Sequence, residues 1–204
     1  MLHVRFNFIT ADPLRLGDSV KFIESEVRPQ VDGQPGSLGT SFYTDPEAGL
    51  AILESFWASD AATQASEHSV TTNRREAVKR AAGTVSVERY QVPVFELDAP
   101  ARSGAGLRLT RMDVEPSQVE DAVEGYGDTA VPWLAESTGF CSALLLMDPH
   151  TGHSISETVW RDQEALADTR SLAAAVRVDT VSATGWVIRA VEEYRLVSTS
   201  ARKA

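Results

Sequence analysis

Cysteine is almost absent from this chain of 204 residues. Cys141 is its one thiol, which excludes an internal disulfide and a thiolate metal cluster. Long apolar runs are absent as well. The longest, such as Ala143 to Met147, are far short of the ~20 residues that a membrane-crossing helix needs. A β-like pattern begins at His3 and leaves no room for a charged segment and an apolar core, so no signal peptide is expected. Positive charge is in deficit: 19 basic against 29 acidic side chains give −10. A chain this acidic repels nucleic acid and anionic membrane as a whole and suits a cytoplasmic protein with neither as partner. There is no glycine-rich phosphate loop and no nucleophile elbow, since Gly104-Ala105-Gly106 has no strand before it. The remainder is ordinary for a globular protein, 43% hydrophobic and 24% charged. Its length suits one mid-sized domain or two small ones.

An internal repeat organises the chain. Displaced by 103 positions, Arg5 falls on Arg108, Pro13 on Pro116, Pro29 on Pro132 and Gly36 on Gly139. Asp45-Pro46 falls on Asp148-Pro149, Glu54 on Glu157, Trp57 on Trp160 and Arg74 on Arg177. Toward the end the displacement becomes 104, so that Glu88 and Tyr90 fall on Glu192 and Tyr194. Pro and Trp are rare, so their coincidence marks a duplicated domain. The repeats span 1–98 and 107–200. The segment 99–106, rich in Ala, Gly, Ser and Pro, reads as a linker.

Each repeat reads β-α-β-β-α-β. Val4, Phe6 and Phe8 alternate with Arg5 and Asn7, which is a strand. Asp12-Pro13 and Glu115-Pro116 place an acid and a proline at a helix start. Val20, Ile23 and Val27, and Val119, Val123, Tyr126 and Ala130, then recur at helical spacing, and Pro132 predicts a kink. Asp-Pro-Glu-Ala-Gly and Asp-Pro-His-Thr-Gly predict hairpin loops after the second strand. A third strand ends at Trp57 and at Trp160. Ser59-Asp60 and Asp162 cap a second helix, and a Val- and Tyr-rich strand closes each repeat. This is the ferredoxin-like motif, whose sheet is covered by helices on one face. Two copies in one chain can bury both bare faces. The expected fold is α+β, an intramolecular α/β barrel with its helices outside.

The stretches Glu54-Ser55-Phe56-Trp57 and Val87-Glu88-Arg89-Tyr90 carry a resemblance, repeated as Glu157-Thr158-Val159-Trp160, Glu164-Ala165-Leu166 and Glu192-Glu193-Tyr194. They resemble the antibiotic-biosynthesis-monooxygenase-like domain of the dimeric α/β barrel superfamily. The resemblance implies a cofactor-independent monooxygenase acting on a small aromatic or polyketide-like molecule, with no bound cofactor. Two alternatives stand beside it: a non-catalytic small-molecule binder or scaffold of the same fold, and haem binding or degradation. Haem-degrading members place an Asn on the first strand and a Trp and a His on the second helix. Asn7 takes the first place, while Ser66 and Arg75 take the other two, which argues against haem.

Cofactor-free oxygenation needs a dry site that holds the substrate and hydrogen-bonds a developing oxyanion. The first repeat offers Asn7, His68 and Tyr90 as catalytic candidates, with Arg5, Trp57 and Arg74 for substrate binding. His68 is its candidate base near neutral pH. The second repeat offers Thr110, Trp133, Arg177, Trp186 and Tyr194. The two polar sets differ, so one working pocket is expected, with the first repeat favoured. Arg5 and Glu54, on neighbouring strands, read as a cross-strand ion pair, repeated by Arg108 and Glu157. His150 and His153 have a metal-like spacing but sit on a hairpin tip, so no metal site is expected. An internal pseudo-dimer removes the usual reason to dimerise. A monomer is expected, with a homodimer through edge strands as the alternative.

Overall fold

The computed structural model describes residues 1–201. In the first repeat it contains β1 (His3–Thr10), α1 (Leu16–Phe22), α2 (Arg28–Asp32), β2 (Ser37–Asp45), β3 (Leu50–Trp57), α3 (Asp60–Ala65), α4 (Glu67–Ala81) and β4 (Thr84–Leu97). The second contains β5 (Gly106–Asp113), α5 (Val119–Glu136), β6 (Phe140–Met147), β7 (His153–Trp160), α6 (Gln163–Asp168), α7 (Arg170–Thr184) and β8 (Val187–Thr199). The strands are hydrogen-bonded in the order β1-β3-β2-β8-β5-β7-β6-β4, closing into an eight-stranded barrel. The α+β tandem architecture expected from the repeat is therefore present. No helix among the described residues is long and apolar enough to cross a membrane.

Contacts divide the chain into two compact units: Met1–Arg89 with residues 196–201, and Tyr90–Arg195. These cuts fall inside β4 and β8, whereas the repeats of the sequence meet at the linker 99–106. The reason lies in the pairing. Gln91 to Leu97 of β4 pair with Met147 to Ser142 of β6, inside the second unit. Ser200 bonds the Thr40 carbonyl of β2 at 2.8 Å, inside the first.

The local signals operate as chemistry requires. Ser59 accepts a hydrogen bond from the Ala62 N–H at 3.2 Å, and Asp162 one from Ala165 at 2.8 Å, capping α3 and α6. Asp45 and Asp148 accept from the backbone two residues on and shape the β2–β3 and β6–β7 turns. Gly49 and Gly152 close those turns with φ of 69° and 74°. A Cβ there would sit 2.4 Å from the Ala11 carbonyl oxygen and 1.8 Å from that of Val114, so only glycine fits.

Three expectations need correction. The first helix starts at Leu16, three residues after Pro13, because Asp12 caps the Leu14 N–H at 2.9 Å in a turn. The second helix is broken in each repeat, after Ala65 and after Asp168. The third concerns the ion pair of Arg5 with Glu54. Arg5 lies opposite Ser55, and Glu54 lies opposite Phe6. In the second unit Arg108 lies opposite Thr158, and Glu157 opposite Leu109. One residue of register places each Arg on the helix-covered face and each Glu on the other. The prolines also diverge. Pro29 follows a π-helical turn, Ile23–Val27, between α1 and α2, whereas Pro132 lies inside the continuous α5.

The core of the first unit packs Ile23, Val27, Val31, Phe42, Leu53, Trp57 and Val70. That of the second packs Tyr126, Leu134, Phe140, Leu145, Trp160, Leu166 and Trp186. Trp57 and Trp160 are wholly buried.

Candidate functional site

Each unit holds a cavity between the helix-covered face of its strands and its helices. In the first it measures about 30 Å³ and is lined by Arg5, Asn7, Leu53, Ser55 and Arg74 with aliphatic side chains from the helices. Most of its polar groups are occupied, although the buried Arg5 Nε has no hydrogen-bond acceptor among the described residues. Arg5 Nη1 donates to Ser66 Oγ at 2.8 Å, to the Thr63 carbonyl at 3.3 Å and to Glu67 at 3.4 Å. Its guanidinium lies 4.9 Å from the Trp57 ring centre. Arg74 contacts Glu67 at 2.5 Å and donates from Nε to Asn7 Oδ1 at 2.8 Å. Asn7 donates in turn to the Leu53 carbonyl at 3.3 Å. Arg89 reaches Glu67 from β4 at 2.9 Å.

One carboxylate thus serves three arginines. Hydrogen bonding from Arg74, above all, and the charges of its neighbours pull the Glu67 carboxyl down to about 2. Burial pulls the Arg5 guanidinium down to about 10, against the support of Glu67. A depressed carboxylate contributes stability above its unfolded value, which is lost as pH falls toward the folded one. Between the ordinary value of 4.5 and about 2, thermal stability therefore falls with pH, and Glu67→Gln makes that fall shallower. Melting temperatures over this range check it; parallel curves for the two proteins would remove Glu67 from the acid response.

The second cavity is larger, about 50 Å³, and its lining includes Arg108, Thr110, Tyr126, Trp133, Ser156, Ala173, Arg177 and Trp186. Tyr126 and Ser156 share a hydrogen bond of 2.8 Å, and burial pushes the tyrosine hydroxyl up to about 12. The Trp133 and Trp186 indole nitrogens are buried, and neither has a hydrogen-bond acceptor among the described residues. The tryptophans that the two repeats share behave differently: Trp57 donates to Ser55 at 2.9 Å and Trp160 to Thr158 at 3.1 Å. A buried donor without an acceptor costs about 1–3 kcal/mol. Two of them on one apolar cavity mark where a ligand's oxygen would be welcome.

Arg108 repeats Arg5. It donates to the Leu166 carbonyl at 2.9 Å, to Thr169 at 3.1 Å and to Glu193 at 2.9 Å. Arg170 holds the same Glu193 at 2.6 Å. Arg177, half-buried, makes no ion pair or hydrogen bond among the described residues, and burial lowers its guanidinium, with Arg108 adding repulsion and the charge of Glu193 opposing both.

Of the candidates named from sequence, Arg5, Asn7 and Arg74 meet at the first cavity. Trp57 lies beneath Arg5 in the core. His68 is exposed on α4, and Tyr90 is buried on β4; neither lines that cavity. Ser66, in the place of the haem-degraders' tryptophan, is held by Arg5. His153 sits 2.7 Å from Asp113, and no group of three or more metal-binding side chains occurs among the described residues. Tyr126, Ser156, Arg170 and Glu193 carry weight that sequence reasoning missed. The signal available was charge inversion between the repeats, Glu67 against Arg170 and Arg89 against Glu193.

No family model matches the chain. Two uncharacterised proteins of Mycobacterium tuberculosis are 29% and 26% identical to it, over 96% and 91% of the chain and 84% and 83% of their own lengths. Among solved structures, an anthrone oxidase-like protein superposes with a TM-score of 0.73 at 16% identity, covering 98% of this chain and 92% of that one. A proposed monooxygenase of Fusobacterium nucleatum superposes with a TM-score of 0.74 at 11% identity, covering 98% and 94%. These likenesses establish a shared fold.

Proposed function

We propose, for a chain that has the monooxygenase-like dimeric α/β barrel fold in tandem form, that its second unit is a cofactor-independent monooxygenase of a small phenolic or anthrone-like molecule. The observation that carries this reading is the pair of buried, acceptor-free indole N–H groups of Trp133 and Trp186 on one apolar cavity. The first unit, with Asn7 and Arg74 bound to each other, keeps a structural role.

The chemistry asks little of the protein. An anthrone-type CH₂ loses a proton to give an enolate. The enolate passes electrons to dioxygen and forms a peroxide, which loses water to leave a carbonyl. One CH₂ and one O₂ become one C=O and one H₂O. Indole N–H groups stabilise the enolate oxygen, and the nearby guanidinium groups lower the substrate's pKa, so that water suffices as base. The apolar walls exclude water from the anion once it has formed.

A second reading is a binder without turnover, and the size of the cavity bears on both. About 50 Å³ is well below the ~300 Å³ at which small-molecule pockets begin. Entry of a fused-ring substrate requires α5 to yield. That helix contains Gly125, Gly127 and Pro132, each unfavourable in a helix interior by about 1 to 3 kcal/mol.

Oxygen uptake by metal-free protein with anthrones and hydroquinones tests the proposal. Trp133→Phe/Trp186→Phe keeps two rings and removes both donors. Turnover is expected to fall about 100-fold or more, while Asn7→Ala/His68→Ala retains it. Turnover lost in the second variant and kept in the first returns the site to the first unit. Tight binding without uptake selects the binder.

A further inference from the structure

The repeats preserve one ion pair with its charges exchanged. In the first unit the acid, Glu67, begins α4 and the base, Arg89, stands on β4, 2.9 Å away. In the second the base, Arg170, begins α7 and the acid, Glu193, stands on β8, 2.6 Å away. The pair itself is equivalent in either orientation. What differs is its reach. Glu67 on the helix lies two turns before Arg74 on the same face and holds it at 2.5 Å. Glu193 on the strand engages Arg108 and Arg170, and Arg177, the counterpart of Arg74, makes no ion pair with it among the described residues and feels it only through space.

The partner that Asn7 gives Arg74 is missing too, because Thr110 stands in its place. The first unit gives Arg74 one carboxylate and one amide, and the second brings neither within bonding distance of Arg177 among the described residues, although the charge of Glu193 still acts on it. Arg177 nevertheless lines the apolar cavity beside Trp186 and Tyr126. A guanidinium there is partly desolvated and has its planar donors available for a carboxylate, which it binds in bidentate fashion.

We infer that the second cavity selects an aromatic carboxylate, with Arg177 holding the acid group and the apolar walls and indoles holding the ring. The inference rests on the location of the site proposed above and names its ligand class. Inversion of the ion pair is what releases Arg177 for this task. Arg177 is a specificity-determining residue; the oxidised carbon lies elsewhere on the ring system.

Calorimetric titration with 1-naphthoate and with the neutral 1-naphthamide tests this without turnover. The wild-type protein is expected to bind the carboxylate roughly tenfold or more tightly than the amide. Arg177→Gln abolishes that preference and leaves amide binding in place. The decisive variant is Arg170→Glu/Glu193→Arg, which keeps the ion pair but turns it to the orientation of the first unit. Its new helix carboxylate neutralises Arg177, and the preference for naphthoate disappears while the melting temperature holds. Equal binding of both probes by the wild type, or a preference that survives in both variants, overturns the inference. Carboxylate selectivity without oxygen uptake upholds it and dismisses the oxygenase reading; uptake without selectivity does the reverse.

Discussion

Trp160→Ala is expected to destabilise the protein by about 3–5 kcal/mol, the range for removing a large aromatic side chain from a packed core. The indole is wholly buried, touches Phe140 edge-on at 5.9 Å and lies 6.3 Å from Trp133. Its N–H is bonded to Thr158, so truncation leaves both a void and a hydroxyl without its donor. At roughly 2–4 °C per kcal/mol for a chain of this size, the melting temperature drops by about 6–20 °C. Trp57→Ala removes an equally buried ring and the surface under the Arg5 guanidinium, so a loss of the same order is expected. The two differ in function. Trp160 supports Trp133, which lines the second cavity, so its loss lowers oxygen uptake per folded molecule; loss of Trp57 does not. Thermal denaturation together with uptake measured at a temperature where both variants are folded checks this. A cost below about 1 kcal/mol for either would remove these tryptophans from the core.

Much of the fold was legible because the sequence contains it twice. Asp45 with Gly49, and Asp148 with Gly152, mark the same turn, and Trp57 and Trp160 end the same strand. Duplication makes each weak local signal count twice. What was not legible was the face on which a polar strand residue lies relative to its neighbour. Arg5 and Glu54 occur on adjacent strands, yet register sets Arg5 against Ser55. Sequence periodicity assigns faces within a strand and leaves the register across strands to the turn and the core. The same limit bears on the choice between cavities. Asn7 looks functional as an isolated polar residue in a strand, and only the three-dimensional neighbourhood reveals that Arg74 and the Leu53 carbonyl consume it. Conversely, Trp133 and Trp186 look like core aromatics, and their missing acceptors are a property of packing.

The difference between the cavities also sits in their aliphatic walls, and this gives the second large effect. Val27 and Val70 line the first cavity; Ala130 and Ala173 occupy the corresponding positions in the second. Ala130→Val/Ala173→Val therefore gives the second cavity the walls of the first. Oxygen uptake and naphthoate binding are expected to fall roughly tenfold or more, because added methyl groups occupy the space a ring requires. Stability is expected to change by less than about 1.5 kcal/mol, since methyl groups filling a void gain contacts that offset the strain of overpacking. The reciprocal variant, Val27→Ala/Val70→Ala, enlarges the first cavity and costs stability without conferring activity. Space alone is insufficient there: Arg74 remains neutralised by Glu67, and Asn7 remains tied to Arg74. Undiminished uptake in the filled variant, or new uptake in the opened one when the second site carries Trp133→Phe/Trp186→Phe, would transfer the chemistry to the first unit. Catalytic capacity in this reading requires two conditions at once, room for a ring and donors that the protein has left unsatisfied; the first cavity offers Arg5 Nε in the smaller space, and the second offers two indole donors in the larger one.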